Sequence, residues 1–507
     1  MTTQEQIEYL ISDPERLLDR KPFTRGAEMS SLDINLPDVY VGGRVMAQLS
    51  RVKRHVISQD TYIAELDPEM HKVLFDDNIP AIAAHYKDGD YSEMNFIKTA
   101  VPIQRSIMEK QTLHMASNKM KFTLSDKRPT DKQQEMFVVF KNYWDLRNQD
   151  GMKVKMVAAA KSYGDAGLLY YMDRRGECRS RIISYADGFV ICSHNDQNGD
   201  RLLEALYYEA DNKTYIDCWD DRLFYRWEAN NKGEWTLERF NGGHGFKENP
   251  LITKRTRVAW EGTQSLIESY EIMYNIFQVL QRKWGWGLLY VKGRLDKNAQ
   301  KIAGNIVLND VSYEGKGDAK FLEPPAPQNM IDTLDNIFER IQIASGTTFI
   351  LPKDIHTSSD TSGVAVQMTQ SLDIQTAKNG IVEWQNVADK MVRLFKQGLA
   401  MEFRNKRMFP EEDIKVLEEL NINASFDIWQ PYSESEYNQA LATMKNAGIL
   451  SRATAAEQNT ISRPDELERL EKQDMEEMER EIEKTRRTKE VEAKYAKTRS
   501  DTQTEEL

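Results

Sequence analysis

Cysteine is scarce: Cys178, Cys192 and Cys218 are the three in 507 residues. An odd set without C-x-x-C spacing builds neither a disulfide framework nor a zinc cluster, so the thiols are expected to be reduced, in a cytosolically made protein. Long apolar runs are missing too. No stretch approaches the roughly 20 apolar residues needed to cross a bilayer. The opening MTTQEQIEYL is polar and lacks the apolar core of a secretory signal. The expectation is a soluble chain with no membrane partner. Positive charge is short: the formal net charge is −12 and the pI near 5.4. That balance speaks against gripping nucleic acid over a broad basic surface, while leaving room for a protein that nucleic acid must slide past.

Catalytic signatures are absent as well. There is no Walker P-loop, no H-E-x-x-H and no paired carboxylate–histidine spacing, so no catalytic, cofactor-binding or metal-binding residue is assigned. In Asn195–Asp200 (NDQNGD), Asp196, Asn198 and Asp200 alternate as in a calcium loop. The required Gly is Arg201 and the closing Glu is Tyr207, however, so the segment reads as a hairpin turn. Gly242-Gly243-His244-Gly245 lacks both the Walker lysine and dinucleotide spacing and reads as a loop.

What is present is periodicity. At 507 residues the chain exceeds a single core of roughly 250–300 residues and should form more than one compact unit. The organising stretch is Gly262 to Phe403. Helices are expected from Thr263 to about Trp284 and from Gln328 to about Ala344. In the second, Met330, Ile331, Leu334, Ile337, Phe338 and Ile341 make an apolar face opposite Asp332, Asp335, Asn336, Glu339 and Arg340. Ser265 with Glu268 supplies a capping-box pattern near the start of the first. The compact insert between them reads as a strand (Gly287–Gly293), a helical turn or two (Asp296–Gly304) and further strands (Asn305–Val311, Ala319–Leu322). A loop, Thr347–Ser362, leads into a long helix from about Gly363 to Phe403. Gly380, costing about 1 kcal/mol relative to alanine, marks an expected bend in it.

Residues 1–60 mix short helical signals with turns and end in Arg51, Lys53, Arg54 and His55, either a contact for an acidic partner or a solvated surface. A helical pattern covers Tyr91–Ser117, with a break or fresh start near Val101 imposed by Pro102. Another spans residues 131–163. Seven short aromatic and β-branched segments follow between Gly167 and Phe240, punctuated by Asp-Gly and Asn-Gly, as expected of an antiparallel meander. Ala424–Trp429 reads as a lone strand that must pair elsewhere, with short helices around Ser435–Asn446 and Arg452–Gln458. After Arg463 the tail is acid-rich and then base-rich without a sustained heptad, and reads as a solvated, fraying helix.

Taken in order, ENPLI (Glu248–Ile252), Gly262–Asn275 ending in YEIMYN, GLLYVKGRLD (Gly287–Asp296), FLEPP (Phe321–Pro325), TLDNIFERIQIASGTTFI (Thr333–Ile350) and SSDTSGVAVQ (Ser358–Gln367) resemble the portal proteins of tailed bacteriophages over roughly Asn95–Leu450. The resemblance implies an α+β portal fold with a β-rich wing, a two-helix stem, a small α/β clip, a long kinked helix and a helical crown. Its divisions fall at 1–60 (arm), 61–255 (wing), 256–286 and 327–346 (stem helices), 287–326 (clip) and 347–362 (tunnel loop). They continue with 363–404 (long helix), 405–433 (return strand), 434–462 (crown) and 463–507 (tail).

It further implies a non-enzymatic ring of about twelve subunits closed by one heterologous contact. Such a ring stands at a capsid vertex, is made in the host bacterial cytoplasm, and passes double-stranded DNA during packaging and ejection. The implied partners are the terminase large subunit, head–tail connector proteins, and the major capsid and scaffold proteins. Lys353, Asp354, His356, Thr357 and Asp360 of the loop are the candidates nearest DNA. Arg294, Lys297, Lys301, Glu314 and Lys316 of the insert are candidates for docking the motor and connectors. The competing readings are another structural phage protein and a packaging enzyme.

Overall fold

Short helices open the chain. They are α1 (Thr3–Ile11) and α2 (Pro14–Leu17), the latter capped by Asp13, whose carboxylate accepts from the Glu15 amide. The computed structural model describes residues 3–18, 40–41, 44–45, 59–75, 98–126, 128–196, 199–230, 233–240, 243–285, 288–292, 306–310, 318–322, 328–349, 370–430, 434–451, 454–455, 459 and 466–504. A two-stranded ladder, β1 (Tyr40–Val41) with β2 (Arg44–Val45), precedes α3 (Gln59–Leu66) and α4 (Lys72–Phe75). Pro102 caps α5 (Ile103–Ala116), the fresh start that its fixed φ and missing N–H favour.

After β3 (Lys121–Leu124), the helical segment read over 131–163 is two helices: α6 (Asp131–Leu146) and α7 (Gln149–Tyr163). The break is at Asn148, which adopts φ 50° and caps α7 by accepting from the Gly151 amide. Asparagine tolerates the left-handed region and offers a local acceptor, so it can end one helix and start the next.

The expected meander divides between two sheets. β4 (Asp165–Met172) pairs antiparallel with β5 (Cys178–Ile183) and, on its other edge, with β11 (Leu251–Arg255). β6 (Val190–Asn195), β7 (Arg201–Ala210), β8 (Lys213–Trp219), β9 (Phe224–Ala229) and β10 (Trp235–Phe240) form the consecutive five-stranded meander. The sequence reading gave no strand to Leu251–Arg255, because only Leu251 and Ile252 are apolar before the basic residues begin. Pairing to β4 is decided by neighbours far away in the chain. Asn195–Asp200 is the expected hairpin: Asp200 N donates to Asp196 Oδ1 at 2.8 Å and Gly199 has φ 91°. One face of the meander packs on the β4 sheet through Ile191, Leu206 and Trp219 against Ile183 and Leu251. α1 and α2 cover the other face.

Next come α8 (Gln264–Gly285), β12 (Leu288–Lys292), β13 (Ile306–Asp310), β14 (Asp318–Leu322) and α9 (Gln328–Ser345). Then follow the 36-residue α10 (Ser371–Lys406), α11 (Glu411–Glu419) and β15 (Ile422–Ser425). β15 meets its partner in β3, antiparallel, with Ile422 opposite Leu124. α10 runs unbroken through Gly380. A Cβ there would lie 2.7 Å from Met115 Sδ, so the glycine serves the close approach of α5 and α10.

The largest core is built on α10. Phe395, fully buried, has its ring 5.3 Å from Trp144, 5.8 Å from Phe140 and 6.5 Å from Tyr170. None of the three cysteines forms a disulfide, and all are buried. Burial pushes the Cys178 thiol up to about 12, with the Glu402 carboxylate adding to the effect, so it is not a nucleophile at neutral pH.

The chain divides into two compact units, one of residues 1–351 and 370–429, the other of residues 352–369 and 430–507, which holds α12 (Glu434–Asn446) and α13 (Glu466–Thr504). α13 is a 39-residue helix, exposed at its described side chains apart from the half-buried Leu470 and Asp474, and laced by i,i+4 ion pairs such as Arg487–Glu483 and Arg486–Glu490. Such pairs, one turn apart on the helix surface, each add a few tenths of a kcal/mol to helix stability.

Candidate functional site

All ten residues singled out in the sequence lie outside the described residues: Arg294, Lys297, Lys301, Glu314 and Lys316 of the insert and Lys353, Asp354, His356, Thr357 and Asp360 of the loop. The basic patch Arg51–His55 and the helical turn read at Asp296–Gly304 lie outside them as well. What is described is the framework that carries both candidate regions.

That framework begins with the pair α8 and α9. β12 pairs with β14 antiparallel, Leu288 opposite Leu322, so the end of α8 and the start of α9 meet at one side of the small sheet and the helices run antiparallel. β13 adds to the far edge of β12 in parallel. The helices interlock where Tyr270 meets Phe338 at 5.8 Å, above a small core of Ile103, Ile107, Trp260, Ile267 and Ile341. Beyond that footing the apolar stripe is incompletely covered. Ile272, Met273, Ile276, Phe277 and Leu280 of α8 and Met330, Ile331 and Ile337 of α9 are only half-buried. Asp332, Asp335, Asn336, Glu339 and Arg340 form an exposed, mainly acidic face on α9, as the periodicity predicts.

Polar fasteners bind α8 to the elements before it. Glu271 and Asn275, four apart, stand within its otherwise apolar stripe. Glu271 Oε1 accepts from the buried His71 Nδ1 at 2.6 Å and from the Val101 amide at 2.8 Å. His71 Nε2 reaches the Glu65 carbonyl at 2.9 Å. Both ring nitrogens therefore face acceptors, which favours the imidazolium. Burial alone would push this imidazole down. The Glu271 carboxylate outweighs that and holds it above the usual histidine range. Asn275 brackets Thr99, accepting from its amide and donating to its carbonyl, both at 2.8 Å. The expected Ser265/Glu268 capping box is not formed. Glu268 instead accepts from Lys72 Nζ at 2.8 Å and Gln264 Nε2 at 3.2 Å, while the Thr263 carbonyl takes the first helical amides.

A second cluster roots the loop. One turn of α5 supplies Lys110, Gln111 and His114. Gln111 Nε2 donates to the Ser345 carbonyl at 2.8 Å and lies 3.1 Å from Thr347 Oγ1, at the end of α9. Lys110 Nζ stands 3.3 Å from Asp373 Oδ2, and Asp373 Oδ1 accepts from the Thr348 amide at 3.1 Å. Thr376 Oγ1 donates to the Gly346 carbonyl at 3.0 Å. Gly346 has φ 65°, and Thr376 leaves no space for a Cβ. The end of α9 and the start of α10 are thus tied to each other and to α5, so a segment leaving at Phe349 and returning at Gln370 has both ends fixed. His114 faces the other way, its Nδ1 3.1 Å from the Trp429 carbonyl, while Trp429 N donates to the His114 carbonyl at 2.9 Å.

Sequence reasoning missed His71, Glu271, Asn275, Gln111 and Asp373. Only Glu271 and Asn275 left a signal: two polar residues at i,i+4 inside an apolar stripe of α8.

No group of His, Cys, Asp and Glu among the described residues is arranged to hold a metal ion, and no helix among them is long and apolar enough to cross a membrane. A profile of the family described as "Phage portal protein, SPP1 Gp6-like" matches residues 62–487. No curated protein matches the chain.

Proposed function

The chain belongs to the SPP1 Gp6-like phage portal proteins, a structural family of the virion, and from that premise we propose that it forms the ring at one capsid vertex through which double-stranded DNA is packaged and ejected. The observation that carries the reading beyond family membership is the half-covered apolar stripe of α8 and α9. A helix pair that leaves Phe277, Met273 and Ile337 partly in water within one chain is suited to completion by the same pair in the next copy. Repeated around one axis, such a heterologous contact closes a ring, here of about twelve copies.

In this reading α8 and α9 are the stem and β12 to β14 the clip, which presents Arg294, Lys297, Lys301, Glu314 and Lys316 to the terminase large subunit and later to connector proteins. The loop after Phe349 is the tunnel loop, in which Lys353, His356 and Thr357 meet DNA loosely while Asp354 and Asp360 limit sticking. The α10 core with its two sheets is the wing, and α12 begins the crown. Capsid and scaffold proteins would surround the wing. The acidic face of α9 suits a channel, because DNA carries one negative charge per about 1.7 Å of axis and a strongly basic wall would arrest it.

Native mass measurement and electron microscopy of the purified chain test the proposal. Rings of about a dozen subunits with a central hole are expected. Monomers at every concentration and salt would overturn it.

A further inference from the structure

Where the turn between β4 and β5 abuts the end of α10, positive charge is in excess. Asp173 fixes the turn, its Oδ1 accepting from the Arg175 amide at 2.8 Å and the Glu177 amide at 2.9 Å. Gly176 stands against Asn405, whose side chain would lie 3.5 Å from a Cβ added there. Six cations gather at this corner, Arg147, Arg174, Arg175, Arg179, Lys406 and Arg407, around three carboxylates, Asp173, Glu177 and Glu402. Glu177 takes Arg179 at 2.6 Å, Lys406 at 2.9 Å and Arg147 at 3.0 Å. The buried Glu402 takes Arg147 at 2.9 Å and Lys406 at 3.0 Å. Those pairs leave Arg174, Arg175 and Arg407 exposed, with no carboxylate of the described residues in ion-pair range. The next acids along the chain are engaged elsewhere, Glu411 by Arg404 and Asp413 by Lys132.

Two large apolar side chains stand in water beside these guanidiniums. Leu146, at the end of α6, is 71% exposed, and Met408, directly after Arg407, is 45% exposed. Tyr143, one turn before Leu146, links them, with its hydroxyl 3.9 Å from Met408 Sδ. In a chain of net charge −12, free arginines next to bare apolar groups are the composition of a protein contact, where Arg and Met are enriched. A guanidinium grips a carboxylate through two parallel N–H···O bonds, which gives direction as well as energy. The ion-pair knot beneath already holds the turn in place, so little ordering is left to the binding event. Nucleic acid fits less well. Three carboxylates stand among the cations, and a phosphate backbone is gripped by many cations rather than by apolar neighbours.

We propose that this corner is a docking surface for a segment of another protein that presents carboxylates beside an apolar side chain. Arg174 and Arg175 on the turn and Arg407 at the end of α10 clasp the carboxylates, while Leu146 and Met408 receive the apolar group. All five residues belong to one chain, so the proposal is independent of the ring reading above.

The test titrates the purified full-length chain with a fluorescein-labelled helical peptide bearing glutamate and leucine on one face, and separately with a short labelled DNA duplex, followed by anisotropy. The peptide should bind, and Arg174→Gln, Arg175→Gln and Arg407→Asn together should weaken it roughly tenfold or more. Asparagine is the choice at 407 because the backbone there is left-handed, at φ 53°. Arg257→Gln, which removes an exposed cation outside the patch, should leave the affinity unchanged. Absence of peptide binding, equal binding by the triple variant, or an equal loss in Arg257→Gln would each overturn the proposal. Tighter binding of the duplex at the same salt would overturn it in favour of a nucleic-acid surface. Should the triple variant not fold, Arg174→Gln with Arg175→Gln, confined to an exposed turn, decides in its place.

Discussion

The α10 region and the α8–α9 pair are both helical and amphipathic, yet they are finished in different ways. α10 is enclosed by α5, α6, α11, β4 and β15, with Trp384, Met391, Phe395, Leu399 and Phe403 all buried, so its stripe is satisfied within one chain. The α8–α9 pair buries only its foot and relies on His71, Glu271 and Asn275 for attachment. Apolar burial is non-directional and accumulates with area, whereas a few charge-assisted hydrogen bonds fix an angle with little area. The first arrangement makes a self-sufficient body; the second holds two rods in position and leaves their flanks for something else.

That contrast can be broken most severely at Phe395. Phe395→Ala should cost about 3–5 kcal/mol, because the ring is fully enclosed and the cavity cannot collapse. Chemical denaturation of the isolated chain would register it, and a loss below about 1 kcal/mol would mean this core is looser than its geometry.

Next in size is His71→Ala, which strands a buried carboxylate and should cost about 3 kcal/mol. The sign of its pH dependence is fixed. Because the folded pKa of His71 lies above the unfolded value, the stabilisation is complete below the ordinary imidazole range and fades as pH rises through the raised value. Denaturation of wild type and variant from pH 6 to 9 should converge towards the alkaline end. A difference that grew with pH would contradict the charged-pair assignment.

The loop root comes third. Asp373→Asn removes the charge opposite Lys110 while keeping an acceptor for the Thr348 amide, and should cost about 1–3 kcal/mol locally. Faster amide exchange at Thr348 and Phe349, with the α10 core unaffected, would confirm that the root is a separate clamp. Phe277→Ser sharpens the comparison from the other side. On a half-buried position it should change isolated-chain stability by no more than about 1 kcal/mol yet impair association, read by native mass. A large loss of stability with intact association would reverse the roles assigned to the two regions. Smallest of all is truncation after Arg463. The pairs Arg480–Glu476, Arg486–Glu490 and Arg487–Glu483 lie within α13 itself, so association and unfolding should both stay within about 0.5 kcal/mol of the full chain.

The sequence by itself determined the elements whose signal is local. Helical period placed both ends of α8 and α9, and the C-terminal end of α10, to within a few residues. Alternation with Asn-Gly and Asp-Gly turns marked the meander, and charge without a heptad marked the tail. It also determined membership of the portal family, since that rests on the order and spacing of short words along the chain. The tertiary structure decided what depends on partners distant in sequence: that Leu251–Arg255 is a strand of the β4 sheet, that β15 finds β3, and that Gly380 admits Met115. It decided too that Glu271 belongs to His71 two hundred residues earlier. Periodicity reports which face of an element is apolar, because that face repeats with the backbone. It cannot report which other face will meet it, because that choice is made by shape and by the few hydrogen bonds that only the folded chain brings within 3 Å.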